Sequence, residues 1–328
     1  MIPSEWLDQA ALRIAPHLRR TLLTNDAGQN IYLKWENRQV TGSFKLRGAL
    51  NKVLSLEKWE QEAGLVTASA GNHGQGVALA GNLVNAPVTI FASNHAVTSK
   101  VEAMRALGAE VRLVEGGYEA AERTAIRYAS EHSKTWVSAY NDGQVIAGQG
   151  TIGLEIAQEL PPQAGMTWLV PVGGGGLLAG SGAALTRCRV GAAHKERPRL
   201  VGVQAEASAF MHSLFYRDAQ HLHGTQENIP DLPTLADGLS GRIEGDSLTI
   251  PILKQFADEI ILVSEEEIAH AIAFAWHKYH ERIEGSAAVA LAPILTGKVN
   301  PPAVVVLSGG NIQPEVHAAI CRRYSEHR

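Results

Sequence analysis

Short apolar runs rich in β-branched residues alternate with longer segments of helical period along most of the chain. The runs predict strands at residues 65–68, 88–92, 110–114, 136–140, 168–172, 200–205, 259–263 and 303–307. Apolar residues at three- and four-residue spacing predict helices at residues 100–107, 119–131, 152–160, 177–185 and 265–280. This alternation is typical of βαβ units, so it predicts an α/β protein with parallel sheets covered by helices.

The repeats fall into two groups, which predict two open, mostly parallel, twisted sheets flanked by helices. Residues 65–142 hold four strand–helix repeats and are expected to form a small domain. Residues 143–328 hold a second series, which residues 1–64 are expected to join as a large domain. The longest break in periodicity spans residues 216–247. A chain of 328 residues is long enough for two such domains.

Composition and charge narrow the class of protein. The 45% hydrophobic and 19% charged fractions are those of an ordinary globular protein, and a net charge of -4 offers no basic surface for nucleic acid or membrane. Residues 1–20 form an amphipathic pattern without the unbroken apolar region of a signal peptide. Cys188 and Cys321 lack the spacing of a disulfide framework or zinc site, so we expect a cytoplasmic protein.

Four polar segments stand near places where a strand is expected to lead into a helix. Right-handed crossovers put the carboxyl ends of parallel strands on one side of a sheet, where open α/β sheets bind ligands. The four segments are residues 41–49, 69–74, 173–176 and 308–311.

Lys45 stands at the start of a predicted helix, with Ser43 as a plausible N-cap. The positive helix end and burial beside Phe44 would both lower the pKa of its amine and favour a Schiff base with an aldehyde. The alternative is an exposed surface lysine close to Arg47.

The four glycines Gly173–Gly176 follow one predicted strand and precede a helix. Their uncovered backbone N–H groups could hold a phosphate at the helix start, or the segment could be a tight turn needed for packing. Gly174, Gly176 and Ala179 also satisfy a loose dinucleotide fingerprint. That fingerprint expects an acidic residue about 20 positions later, whereas Glu206 comes clearly further on, so a phosphate monoester is favoured.

The segment Ser69-Ala70-Gly71-Asn72-His73-Gly74 offers backbone N–H groups for a substrate carboxylate, and Asn72 could bond a phenolic ring oxygen. His73 lacks an acidic neighbour to orient it, which favours a packing or hydrogen-bonding role over that of a general base.

Ser308 ends the most apolar strand and could donate to a ring nitrogen, or could be a turn or N-cap serine. Glu284 is interpreted as an acid at a helix start that could also lie near a ring. Glu206, the carbonyl of Phe210 and His212 form a weak candidate cation site, because hard divalent cations prefer carboxylates to imidazole.

Taken together, these segments resemble the threonine/serine dehydratase family of fold type II pyridoxal-phosphate enzymes, which share the fold of the tryptophan synthase β chain and include serine racemase as a close relative. The resemblance runs in order over nearly the whole chain. Its segments are Glu36-Asn37, Thr41-Gly42-Ser43-Phe44-Lys45-Leu46-Arg47-Gly48-Ala49, Thr67-Ala68-Ser69-Ala70-Gly71-Asn72-His73, Val145-Ile146-Ala147-Gly148-Gln149-Gly150-Thr151, Pro171-Val172-Gly173-Gly174-Gly175-Gly176 and Leu307-Ser308-Gly309-Gly310-Asn311.

The resemblance implies a function for each segment. Lys45 would bind pyridoxal 5'-phosphate covalently, and Phe44 would pack on the ring. Gly173, Gly174, Gly175, Gly176 and Leu177 would hold the phosphate, Asn72 the ring hydroxyl and Ser308 the ring nitrogen. The substrate would contact Ser69, Ala70, Gly71, Asn72, His73 and Asn141.

Two departures limit the resemblance. Serine racemases carry a serine at the position of Ala70 as the second acid/base group, so efficient racemisation is not expected here. His212 stands where some members have a second carboxylate, which argues against a divalent cation. The chain ends at Arg328 without an appended regulatory domain, which favours a catabolic or side-pathway enzyme.

The resemblance implies an ammonia-lyase that converts L-threonine or L-serine to a 2-oxo acid and ammonia, as a homodimer or homotetramer. Other substrates stay open: threo-3-hydroxyaspartate, phenylserine or an intermediate of hydroxyectoine breakdown. Two other classes also stay open, an NAD-dependent oxidoreductase and a non-catalytic binding protein.

Overall fold

The computed structural model describes residues 2–188, 197–217 and 226–325, which fold around two sheets. The large sheet has the strand order β1-β2-β10-β7-β8-β9, and the small sheet has the order β5-β4-β3-β6. The strands are β1 Leu23–Asp26, β2 Ile31–Trp35, β3 Leu65–Ala68, β4 Val88–Ser93, β5 Glu110–Val114, β6 Thr135–Trp136, β7 Thr167–Pro171, β8 Arg199–Ala205, β9 Glu259–Val263 and β10 Ala303–Leu307.

The α-helices lie between and around these strands. They are α1 Ser4–Ile14, α2 Lys45–Leu54, α3 Lys58–Ala63, α4 Asn72–Leu83, α5 Thr98–Ala106, α6 Tyr118–Glu131, α7 Gly143–Glu159, α8 Gly176–Arg187, α9 Phe210–Tyr216, α10 Thr249–Phe256, α11 Glu265–Tyr279, α12 Gly285–Leu295 and α13 Pro314–Ser325. None of the helices in the described residues is both long and apolar enough to cross a membrane.

The large sheet is parallel except for the β1–β2 pair. All five residues of β10 are buried, because helices cover both faces of the strand. Val305 and Leu307 pack with α11 and α12, whereas Val304 and Val306 pack with the core that includes α8 and α10. A continuous apolar run of this kind is expected for a parallel strand buried on both faces.

The small sheet is wholly parallel, and its central strand β3 is buried throughout. Val66 and Ala68 face α6, whereas Leu65 faces a core shared by α2, α4 and α5. Helix α2 therefore packs on the small sheet although it precedes the sheet in the chain. On its other side α2 lies against α7, where a side chain at Gly148 would overlap the Arg47 carbonyl.

A buried ion network fixes α2. The Arg47 Nε donates to Glu36 Oε2 at 2.8 Å, and its Nη1 donates to Glu155 Oε1 at 2.7 Å. Lys34 Nζ donates to the other oxygen of Glu155 at 2.6 Å. Arg47 and Glu36 are fully buried, so each charge depends on the other for compensation. The network anchors the helix two residues beyond Lys45.

The sequence predicted most of the strands, and the structure differs from the prediction in several features. β1 and β2 were not predicted, and the strand expected at residues 136–140 is the two-residue β6 at Thr135–Trp136. Helix α7 begins at Gly143, nine residues before the predicted start. The expectation that Ser43 caps α2 is wrong: Phe44 is the N-cap, and the buried Ser43 hydroxyl has no partner among the described residues. The irregular stretch at 216–247 includes residues 218–225, which lie outside the described residues.

We expect Arg47→Ala to reduce the free energy of unfolding by about 3–5 kcal/mol, because it leaves the buried Glu36 without a partner charge and leaves Glu155 with Lys34 alone. Chemical denaturation measures the change. Arg105→Ala is the matched control, since Arg105 pairs with Glu102 on the exposed face of α5 and its loss should change stability little. Equal effects of the two substitutions would contradict the importance of the buried network.

Candidate active site

Lys45 is the first residue of α2, and its amine lies deep in the protein although the side chain as a whole is half-buried. The Nζ donates to the carbonyl oxygen of Ala139 at 3.0 Å and lies 5.3 Å from the centre of the Phe44 ring. Burial lowers the pKa of this amine to about 8, and the charge of Glu284 opposes the shift. A usable fraction of neutral amine is therefore present near neutral pH, as a nucleophile requires.

The turn before Lys45 is bonded to the segment that follows β10. The Phe44 N–H donates to the Ser308 carbonyl at 3.0 Å, and Ser43 pairs with Gly309 in an antiparallel bridge. Ser308 is buried, and its hydroxyl donates to the Ser286 carbonyl over a long 3.3 Å. Ser308 does not cap a helix, since α13 begins only at Pro314. A hydroxyl has a single hydrogen, so a ligand atom that accepts from Ser308 would replace the Ser286 carbonyl as its partner.

The glycines at 173–176 join β7 to α8. Gly175 has a φ of +89°, which side-chain-bearing residues rarely adopt, and α8 begins at Gly176. A side chain at Gly174 would overlap the ring of Tyr140. Tyr140 directly follows Ala139, whose carbonyl holds Lys45, so the amine and the glycine turn meet at residues 139–140. A helix N-terminus with bare backbone fits an anionic group such as a phosphate.

The segment after β3 places Asn72 at the first position of α4. Asn72 Nδ2 donates to Glu284 Oε1 at 2.6 Å, and Asn72 Oδ1 accepts from Asn311 at 2.7 Å. In the same segment Ser69 Oγ accepts from the Gly71 N–H at 3.1 Å. Ala70 is exposed at the turn. The structure thus brings the 69–74 and 308–311 segments together, as the sequence predicted.

His73 is buried with Nε2 3.1 Å from the Val137 carbonyl. A carbonyl only accepts, so Nε2 carries the proton and Nδ1 is the basic nitrogen. Nδ1 has no hydrogen-bond partner within the described part of the chain. Burial and the nearby Lys45 lower the pKa of the ring to about 3. This environment is unsuited to a general base and agrees with a packing or hydrogen-bonding residue.

Asn141 lies next to the residues that contact Lys45 and the glycine turn. Its Nδ2 donates to Glu244 Oε2 at 2.8 Å, and its Oδ1 accepts from the Leu248 N–H at 2.9 Å. Burial raises the pKa of the Glu244 carboxyl, and burial together with the Glu244 charge raises that of Glu122. The two hydrogen bonds to Glu244 and Leu248 bind the Asn141 side chain to the loop before α10.

The candidate cation residues lie at the end of β8. Glu206 is exposed in a single 3-10 turn, Phe210 begins α9, and the His212 ring packs against Tyr216 at 4.9 Å between ring centres. Within residues 2–188, 197–217 and 226–325, no three His, Cys, Asp or Glu side chains are grouped so that they could hold a metal ion.

Sequence reasoning missed several contacts of the site. Lys100 on α5 pairs with Asp237 at 2.7 Å, and its side chain runs beside Gly71. Ser286 Oγ accepts from the Gly238 N–H at 3.1 Å. The Ala139 carbonyl carries no sequence signal at all, because any residue provides one.

We expect the rate at which the Lys45 amine forms an imine with an added aldehyde to rise about tenfold per pH unit and to level off above about pH 8. Below its pKa the amine is mostly protonated and cannot attack the aldehyde, and above it the amine is mostly neutral. Stopped-flow absorbance of the reconstituting full chain measures this rate. A rate that keeps rising toward pH 10, as for an exposed lysine, would contradict the burial of the amine.

Comparison of the sequence with known proteins places the chain in a family. Residues 10–309 match the model of the family described as pyridoxal-phosphate dependent enzyme. The chain is 41% identical over 323 residues to an L-threonine ammonia-lyase of Thermotoga maritima, covering 95% of this chain and 76% of the relative.

Solved structures agree with the fold. The processed form of threonine deaminase isoform 2 from Solanum lycopersicum is 29% identical and superposes with a TM-score of 0.82, covering 98% of this chain and 94% of that one. Serine racemase from Dictyostelium discoideum is 29% identical with a TM-score of 0.81, covering 95% and 99%. The two mostly parallel sheets predicted from the sequence are thereby confirmed. By its sequence and its fold, the chain belongs to the family of pyridoxal-phosphate-dependent enzymes.

Proposed function

We propose that the protein is an ammonia-lyase that removes the β-hydroxyl and the amine of L-threonine or L-serine and releases a 2-oxo acid and ammonia. The observation that carries this proposal is the Lys45 amine, which is buried with a pKa lowered to about 8 beside the glycine turn at 173–176. The resemblance to relatives named as threonine ammonia-lyases supports the choice of substrate.

The residues present fit pyridoxal phosphate. Lys45 supplies the amine for the covalent link, and Phe44 lies beside it for packing on the ring. Residues 173–176 with Leu177 supply a helix start for the phosphate. The Ser308 hydroxyl is a donor for the ring nitrogen, and the Asn72 amide is a donor for the ring oxygen. Family membership and this monoester site favour pyridoxal phosphate over a dinucleotide.

Lys45 is the group that moves the α-proton. Pyridoxal phosphate, when bound, withdraws electrons from the α-carbon of the substrate amine. The Lys45 Nζ, as a free neutral amine, would take the α-proton as a general base. Ser308 is a neutral donor and far too weak an acid to protonate a pyridine nitrogen, which favours early loss of the β-hydroxyl. Ala70 offers no acid or base for a second face, which supports elimination over racemisation.

We assign residues 65–142 to a small mobile domain and residues 1–64 with 143–328 to a large domain. The separate sheets support this division, and α2 of residues 1–64 packs both on the small sheet and on α7. Asn72 and Lys100 of the small domain contact Glu284 and Asp237 of the large domain. Closure across these contacts would shield the reacting substrate from water, and the 69–73 segment would hold its carboxylate.

The assembly and location are also proposed. Cys188 and Cys321 are free cysteines, which supports a reducing cytoplasm. A homodimer or homotetramer is the most common assembly for an enzyme of this kind, and size-exclusion chromatography with light scattering distinguishes the two.

The purified protein should release a 2-oxo acid and ammonia from L-threonine or L-serine, and Lys45→Ala should reduce turnover by about 10²–10⁴-fold because it removes the base. Borohydride followed by mass spectrometry should fix the cofactor on Lys45. Lys58→Ala is the control, since Lys58 is an exposed lysine on α3.

The substrate panel includes threo-3-hydroxyaspartate, phenylserine and hydroxyectoine-breakdown intermediates. Preferred turnover of one of these would replace the substrate named above while keeping the reaction. Cofactor bound at Lys45 without any turnover would favour a binding protein.

A further inference from the structure

Asn311, Asn72 and Glu284 form one hydrogen-bonded chain between the two sheets. Asn311 Nδ2 donates to the Thr41 carbonyl at 2.9 Å and to Asn72 Oδ1 at 2.7 Å. Asn72 Nδ2 then donates to Glu284 Oε1 at 2.6 Å. Asn72 belongs to α4 beside the small sheet, whereas the other residues belong to segments around the large sheet. We call these three side chains the amide chain.

The ends of the amide chain fix the direction of its hydrogen bonds. The Thr41 carbonyl can only accept, so Asn311 must direct its NH₂ group toward Thr41. The same NH₂ group reaches Asn72 Oδ1, and the Asn72 NH₂ group therefore faces the Glu284 carboxylate. This leaves Asn72 a second N–H, for which the described residues provide no acceptor. An amide whose two ends are otherwise hard to distinguish is thus held in one orientation.

The surroundings leave the amide chain little freedom. A side chain at Gly309 would overlap Glu284 Oε1, and a side chain at Gly42 would overlap Asn311 Oδ1. Gly42 also has a φ of +72°, which favours glycine there. Close approach of the two backbone segments is therefore what lets Glu284 and Asn311 reach Asn72.

Burying the ionised carboxylate of Glu284 at this position costs free energy. Glu284 is buried, and burial together with the charge of Asp237 raises the pKa of its carboxyl to about 7. Glu284 is the N-cap of α12, yet its side chain makes no capping hydrogen bond to that helix, whose residues are all described. The carboxylate instead accepts from the Asn72 amide and the Asn311 backbone N–H. A buried carboxylate directed at Asn72 indicates a positioning role.

We propose that Glu284 and Asn311 are positioning residues that hold the Asn72 amide with its second N–H free for the ring oxygen of the bound cofactor. This inference rests on the proposed pyridoxal-phosphate site. Because the amide chain joins segments around both sheets, it also ties the orientation of Asn72 to how the two sheets are placed relative to each other.

The test is a double-mutant cycle on cofactor affinity in the full chain. The variants are Asn72→Ala, Glu284→Leu and the pair, with the dissociation constant of pyridoxal phosphate measured by equilibrium dialysis. We expect Asn72→Ala to weaken binding about tenfold, as for loss of a hydrogen bond to a charged oxygen. Glu284→Leu should weaken binding about three- to tenfold alone and less than twofold when Asn72 is already alanine.

Conservative variants separate positioning from general destabilisation. Glu284→Gln keeps an acceptor for Asn72 and should recover most of the affinity lost in Glu284→Leu, with the visible band of lysine-bound cofactor close to that of the parent. Asn311→Ala removes the donor to Asn72 Oδ1 and should show the same non-additivity with Asn72→Ala. It completes the cycle even if Glu284→Leu does not fold.

Additive losses in both cycles would overturn the inference, since Glu284 and Asn311 would then act independently of Asn72. Equal losses in Glu284→Gln and Glu284→Leu would overturn it too, because they would show that the charge and not the acceptor matters. The cycle reads affinity rather than turnover. A protein that binds the cofactor at Lys45 but dehydrates no amino acid therefore refutes the proposed function and leaves this test intact.

Discussion

The buried ion pairs of Arg47 are the constraint on which the site depends. Through Glu36 and Glu155 they hold one side of α2 to the part of the molecule that contains the large sheet. The opposite side of α2 packs on α4 and the small sheet. Lys45 begins this fixed helix, so its amine is held at one depth, 3.0 Å from the Ala139 carbonyl. Its lowered pKa follows from that depth, because an amine free to reach solvent would be rehydrated.

Three backbone segments meet around this amine, and small residues permit the meeting. The turn before α2 is bonded to the Ser308 segment, and residues 139–140 lie between Lys45 and the glycine turn. Bare backbone at the glycine turn offers N–H groups that could bind a phosphate. The fold thus brings an amine of lowered pKa, a helix start with bare backbone and the Ser308 segment into one region of the molecule.

Polar contacts also connect the segments of the two sheets at the site. Asn72 and Lys100 each reach a carboxylate from a segment around the large sheet, Glu284 and Asp237 respectively. Lys100 and Asp237 are partly exposed, whereas Glu284 is buried, so the two contacts differ in what they do. The Lys100–Asp237 pair is open to solvent at Asp237, whereas the buried contact sets the orientation of an amide.

The sequence alone determined the parallel sheets, the helix start at Lys45 and the four polar segments, because buried parallel strands are continuous apolar runs and glycines mark close approach. It did not reveal β1, because β1 is a polar edge strand. It did not reveal β2 either, because Lys34 interrupts its apolar pattern; in the fold Lys34 is buried and its charge is compensated by Glu155. Only the tertiary structure joined Glu284 to Asn72 and Lys45 to Ala139. Hydrogen bonds between residues far apart in the chain leave no periodicity in the sequence, since their partners are set by how the two sheets pack.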